Sequence, residues 1–434
     1  MASSLPFLCN LFPEASLFLP SYLPNHMTLS RTLRLAPALL LLTTSAALAQ
    51  NTIRTITTAV PILTLSPDAR GSALGDAGVA TSPDANAAFY NPGKLGFVDY
   101  KYAFSPSFSP WLRQVTDDMS LSYLSGYGKV GDRGAIAGSL TYFSLGQIDY
   151  RDGNNFPNGS FNPKEYAVSV SYGQKLGENF GLGISARYVR SNLVGAYAGN
   201  DAQSGNSFAA DLGVYYTKDA TIGTGIYNLA FGAAITNFGN KMIYGNSSNP
   251  NSPNFLPTQL RLGTALTREI DSYNKITLAF DVTKLLVPSP YFEDPYNASD
   301  PTQVARVNQI NNERQQQGPV GAVFSSFSDA TGGFKGELRE INLHGGLEYW
   351  YNNTIAARVG YFYENPNAGD RQYLSFGLGA KLSVFGVDGT YLVPNSQANP
   401  LAQTIRVSLH FNLDKLADAF DERGAGGTQG TLPN

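Results

Sequence analysis

Cysteine is nearly missing from this chain: 434 residues hold one, Cys9. A disulfide framework is thereby excluded. Histidine is scarce, with three, and charged residues make up 15%, well under the roughly 25% of an ordinary soluble protein. The formal net charge of −3 leaves no basic footprint for nucleic acid. No Gly-Lys-Ser/Thr follows the Gly-rich stretches, so a phosphate loop is excluded, and no HExxH, CxxC or EF-hand spacing points to a metal site. No cofactor is indicated. Beyond position 50 there is no apolar run of the ~18 residues that a membrane helix requires.

What is present is aromatic and small: 25 Tyr, 25 Phe and 44 Gly, the composition of an all-β protein in contact with lipid. The chain is organised around residues 66–97, SPDARGSALGDAGVATSPDANAAFYNPGKLGF. The stretch has little β-branched or long apolar content. Gly71, Ala73, Gly75, Ala77 and Gly78 let a backbone approach a wall closely. Asp68, Asp76, Asp84 and Asn86 can bond their own backbone in turns and caps, and Asn91-Pro92-Gly93 marks a turn. A compact segment of this kind ahead of a long β-run suggests a plug inside a closed sheet. The competing reading, a flexible linker, conflicts with Ala87-Ala88-Phe89-Tyr90.

Ahead of it, Met27 opens a signal peptide. Arg31 and Arg34 are its positive region, 35–42 its apolar core, and Ala47-Leu48-Ala49 its cleavage site, leaving Gln50. Cys9 would be lost with it, so no thiol nucleophile would remain. Residues 1–26 read as an upstream extension, disordered or the product of a start codon at Met1 rather than Met27. Residues 51–65 are expected to run along the periplasmic side before the plug.

From Val98 onward the period is two. Tyr166, Val168, Val170 and Tyr172 alternate with Ala167, Ser169 and Ser171. Ile276, Leu278, Phe280 and Val282 alternate with Thr277, Ala279 and Asp281, and Ile405, Val407, Leu409 and Phe411 with Arg406, Ser408 and His410. One face suits hydrocarbon and the other a polar lumen. A soluble sandwich has the same period. Here, however, short connections near 129–133, 177–179, 271–272, 352–353 and 383 alternate with long ones, as in an outer-membrane barrel. About 14 antiparallel up-and-down strands follow, over 98–413, with a flexible tail at 414–434. Aromatic pairs near strand ends, Tyr349-Trp350-Tyr351 among them, suit the membrane interface.

The longest connection, near 287–337, carries a helix signal: Asp300 as N-cap, Pro301 in the first turn, Gln303 at the capping-box position and Gly318-Pro319 as stop. Inward charges are expected at Arg187, Asp211, Arg261, Asp281, Glu348, Arg358 and Arg406, paired within the lumen and with the plug. His344 and His410 fall on the same face, and Ser408 beside His410 raises the alternative of a hydrolase at the wall.

Residues 66–97 resemble the N-terminal signature of the PorV family of type IX secretion outer-membrane proteins. The matching residues are Ser66-Pro67-Asp68-Ala69-Arg70, Gly75-Asp76-Ala77-Gly78-Val79-Ala80, Thr81-Ser82-Pro83-Asp84-Ala85-Asn86 and Asn91-Pro92 with Lys94-Leu95. Lys284-Leu285-Leu286-Val287-Pro288 is similar to that family's strand-end motif. The resemblance runs from about 62 to 413. It implies a FadL-like transmembrane barrel with an N-terminal hatch (50–97) in the lumen, set in the Gram-negative outer membrane. It implies a non-enzymatic role: binding secreted cargo through its C-terminal β-domain, taking it from a translocon barrel and passing it to a sortase-like surface attachment complex. The alternative is a FadL-like channel for hydrophobic small molecules, since those channels carry a similar Asn-Pro.

Overall fold

The computed structural model describes residues 55–113, 116–193, 204–223, 225–244, 253–293, 296–395 and 404–414. The expected signal peptide, the expected upstream extension and nearly all of the expected tail lie outside the described residues.

Sixteen strands are described. They are β1 (Tyr102–Pro110), β2 (Met119–Val130), β3 (Gly134–Leu145), β4 (Ile148–Arg151), β5 (Pro157–Phe161), β6 (Lys164–Lys175), β7 (Phe180–Asn192) and β8 (Gly205–Ile222). There follow β9 (Gly225–Gly239), β10 (Gln259–Glu269), β11 (Asn274–Leu285), β12 (Ile341–Tyr351), β13 (Ile355–Tyr363), β14 (Gln372–Lys381), β15 (Phe385–Pro394) and β16 (Ile405–Asn412). Fourteen of them close into one antiparallel barrel, each paired with its neighbours in sequence, and β1 meets β16 at the seam. The remaining pair, β4 and β5, forms a separate hairpin on the connection between β3 and β6. Sequence periodicity does not show that hairpin, because its strands are only four and five residues long.

The alternation has the expected sense. On β6, Ala167, Ser169 and Ser171 are buried while Val168 and Val170 are exposed. On β11, Thr277, Ala279 and Asp281 are buried while Leu278 and Phe280 face out. An outward row of Val, Leu, Ile and Phe around a polar interior is stable only against hydrocarbon. No described helix is long and apolar enough to cross a membrane. Closure leaves no unpaired sheet edge in the lipid. The start of β1 and the end of β16 lie at the end of the barrel with the short turns, which in outer-membrane barrels faces the periplasm.

Two expectations need correction. The first strand starts at Tyr102, not at Val98, because a 3-10 helix, Pro92–Phe97, still packs inside the wall. Residues 55–65 do not lie at the periplasmic end. Ala59 donates its N–H to the Phe255 carbonyl at 2.8 Å. Val60, Ile62 and Leu63 pack with Trp111, Leu121, Phe143 and Leu256, and Ile56 against Phe255, Val287 and Ala322. Phe255, Leu256, Val287 and Ala322 belong to the long connections, so this segment sits at the extracellular mouth. Its apolar side chains signal burial but not which end of the cylinder buries them.

Two short helices, α1 (Ala69–Ala73) and α2 (Ala87–Tyr90), lie within residues 66–97, and the described residues of the long connection from Leu286 to Glu340 hold three more, α3 (Pro301–Gln316), α4 (Pro319–Ser325) and α5 (Phe334–Arg339). Asp300 caps α3, accepting from the N–H groups of Thr302 and Gln303. Gln317 is the C-cap of α3 and Gly318 the N-cap of α4, with Pro319 in the first turn. In the sequence that Gly-Pro step marks only a stop.

Candidate functional site

Residues 66–97 lie among the inward-facing side chains of the barrel, and most of them are buried. Asp68 starts the segment by capping a short helix, Ala69–Ala73. Its Oδ2 accepts from the Gly71 N–H at 2.9 Å and its Oδ1 from the Tyr90 hydroxyl at 2.6 Å. The Ala69 N–H donates to Ser408 Oγ at 2.8 Å. Arg406 donates to the Ser66 carbonyl.

Arg70 heads a chain of alternating charges. Its Nε and Nη2 form a fork on Glu348, each at 2.9 Å, while Nη1 reaches Asp84 at 2.9 Å. Glu348 Oε2 also accepts from Arg358 Nε at 2.7 Å. Arg358 Nη1 then reaches Asp388 at 2.7 Å, and Asp388 meets His410 Nε2 at 2.7 Å. Asp84 and Arg70 come from the luminal segment, and the other four from β12, β13, β15 and β16. Charge-assisted forks of this kind are the strongest polar contacts available in a low-dielectric interior.

The rest of the segment is held by its backbone and its polar side chains together. The Gly78 and Val79 N–H groups both donate to Asp281 Oδ2, at 2.7 and 2.9 Å. Asp76 accepts from the Tyr373 hydroxyl at 2.6 Å. His344 Nδ1 lies 3.0 Å from the Gly75 carbonyl, with Thr283 at 3.0 Å from its Nε2. Lys94 donates to the Gly78 carbonyl at 2.7 Å. Asn91 donates to the Val214 carbonyl at 2.8 Å and accepts from the Gly93 N–H, which sets Pro92 against β7 and β8. Asn86 accepts from Ser125 at 2.6 Å. Backbone meets backbone where Gly75, at φ +67°, faces Gly360: a Cβ on Gly360 would lie 2.0 Å from the Gly75 nitrogen.

Of the expected inward charges, Arg187 pairs with Asp211 at 2.8 Å. Arg261 lies over the Phe89 ring, 5.3 Å from its centroid. Ser408 and His410 do not act on one another. Ser408 bonds Ser107 and the Ala69 N–H, and His410 bonds Asp388. Trp350 was expected at the membrane interface but shares the inner face with Glu348, under the Arg358 guanidinium at 5.3 Å. Its spacing of two from Glu348 was the available signal.

The Lys284–Pro288 stretch joins the wall to the long connection. Lys284 donates to Glu337 at 2.9 Å and to Glu340 at 2.6 Å. Asp329 lies in the same acidic group, and burial raises its carboxyl above the ordinary value while Arg314 opposes the shift. Leu286 donates its N–H to the Thr258 carbonyl, and Val287 packs beside Ala322 and Ile56.

A closed barrel with lipid-facing rows and a polar interior defines an integral outer-membrane protein. The profile of "Type IX secretion system protein PorV" matches residues 48–292, and the chain belongs to that family. No curated protein sequence matches it. Among solved structures it is similar to the toluene transporter TodX of Pseudomonas putida, at 10% identity and TM-score 0.42, over 83% of this chain and 98% of that one. It is also similar to the toluene transporter TbuX of Ralstonia pickettii, at 11% identity and TM-score 0.41, over 81% and 97% of the two chains. A Pseudomonas aeruginosa FadL homologue matches at 11% identity and TM-score 0.39, over 82% and 99%.

Proposed function

We propose that this protein is a non-enzymatic adaptor of type IX secretion. It receives cargo proteins through their C-terminal β-domain as they leave a translocon barrel and passes them to a sortase-like attachment complex at the surface. In this reading residues 66–97 are a hatch that keeps the lumen shut, and the working surface is extracellular. The observation that carries it is the density of bonds between that segment and the wall, set beside the folded connection of α3, α4 and α5. Val320, Phe324, Phe327 and Phe334 are each more than half exposed there. Apolar side chains displayed on a structured loop mark an interaction surface. Family membership supports a place in a secretion complex.

A second reading, a channel for hydrophobic small molecules, has its own supporting feature. The pairing of β8 with β9 slips between Ala210 and Leu212, and Asn237 opposite adopts φ +59°. Outside this bulge an apolar groove of about 520 Å³ runs between Ile184, Leu212 and Ile235 on the wall and Val320 and Phe324 on α4. A strand irregularity under an oily groove is where a solute could leave a barrel sideways.

Deleting the gene separates the two readings. Cargo retained in the periplasm with normal uptake of fatty acid or toluene supports the adaptor. Normal secretion with lost uptake overturns it in favour of the channel. Complementation with Phe324→Ser/Phe334→Ser should restore the barrel in the membrane but not secretion.

A further inference from the structure

At the periplasmic end of the lumen, below the Arg70–Glu348 contact, lies a cavity of about 430 Å³. Asp99, Lys275, Asn353 and Lys381 are among its lining residues, and all four lie beside the short turns or the start of β1, so it opens toward the periplasm. We infer that this cavity is a binding site for a small organic carboxylate with a compact apolar or aromatic body, admitted from the periplasmic side.

The charge sign follows from pairing. Three carboxylates line the cavity: Asp84, Asp99 and Asp388. Asp84 is taken by Arg70, and Asp388 by Arg358 and His410. On the positive side, neither Lys275 nor Lys381 forms an ion pair among the described residues, and Lys381 lies over the Tyr100 ring at 5.2 Å. Arg358 is 5% exposed and already paired with Glu348 and Asp388. Two lysines are therefore set against Asp99 alone, an excess of positive charge that an incoming carboxylate would balance.

The body of the ligand follows from the remaining walls. Trp350 lies under Arg358, and Ala103 and Tyr127 close the other side. Flat aromatic faces beside a few convergent cations are the usual composition of a small-molecule site. The site is independent of the secretion reading, because it faces the opposite end of the barrel from the long connections.

Trp350 provides the readout, since the chain holds two tryptophans and the other is Trp111. Purified full-length Trp111→Phe protein in detergent is titrated with phenylacetate, phenylacetamide and acetate, followed by Trp350 fluorescence and by equilibrium dialysis. Phenylacetate is expected to bind saturably at millimolar concentration or below. Phenylacetamide and acetate should each bind at least ~10-fold more weakly, the equivalent of about 1.4 kcal/mol. Lys275→Gln/Lys381→Gln, which touches none of the bonds to residues 66–97, should weaken phenylacetate by a similar factor and leave thermal stability unchanged. Equal binding of phenylacetate and phenylacetamide overturns the charge argument. Equal binding of acetate and phenylacetate overturns the aromatic argument. No binding in dialysis, or binding indifferent to the two lysine substitutions, overturns the site.

Discussion

Glu348→Gln is the most direct probe of how the luminal segment is held. The carboxylate is 2% exposed, and two guanidinium groups share its Oε2, Arg70 Nε at 2.9 Å and Arg358 Nε at 2.7 Å. Its removal leaves two like charges side by side with no anion between them. Breaking a buried ion pair from one side costs about 3–5 kcal/mol. At about 1.4 kcal/mol per decade, the balance between the bound and displaced segment should move by roughly two to three decades or more. The lipid-facing strands are untouched, so the barrel itself should still assemble. The assay is urea titration in phospholipid vesicles, with limited proteolysis of residues 66–97 as one signal and the heat-modifiable gel mobility of the barrel as the other. The protease signal should shift to much lower urea while barrel mobility shifts little. Arg70→Gln/Glu348→Gln should recover part of the loss, giving a coupling of at least about 1.5 kcal/mol. A single-variant midpoint within about 0.5 kcal/mol of the parent, the range of surface substitutions, would refute the claim that this contact holds the segment.

Gly360→Val places a side chain against the Gly75 backbone, where even a Cβ would sit at 2.0 Å. The variant is expected to lose protease protection of residues 66–97, and retained protection would contradict the close approach. Lys284→Gln leaves Glu337 and Glu340, which cluster with Asp329, without the ammonium they share. Loosening by about 1–3 kcal/mol is expected, seen as cleavage of the α3–α5 connection on intact cells with unchanged barrel mobility. Thr57→Cys, in a chain whose only other cysteine is Cys9, should react with a membrane-impermeant maleimide on intact cells. Labelling only after lysis would place residues 55–65 at the wrong end.

The wall was legible in the sequence because a period of two is a local property, and lipid selects the same side chains on every strand. The five short turns marked in the sequence, near 129–133, 177–179, 271–272, 352–353 and 383, each join two neighbouring barrel strands, whereas β1 starts at Tyr102 rather than Val98. The luminal position of residues 66–97 was legible from what those residues lack: nothing in them could build a strand or a long helix. Their partners were not. Arg70 meets Glu348 across 278 positions of sequence, and residue type alone offers several equally suitable carboxylates. Trp350 was misplaced because its aromatic neighbours outweighed its parity with Glu348. Residues 55–65 were misplaced because apolar character is symmetric between the two mouths of a cylinder. The helices α4 and α5 were missed because they are short and carry outward-facing Phe rather than an amphipathic pattern.

The position of residues 55–65 constrains biogenesis. The chain reaches the outer mouth first, descends through the interior, and only at Tyr102 turns into the wall that surrounds it. Once β1 and β16 have joined, a folded globule attached upstream could no longer be drawn through. The interior must therefore be laid down before the last seam zips. A small tag upstream of Thr55 would be carried to the outside of the cell, whereas a tightly folded fusion would leave an open, degradable sheet.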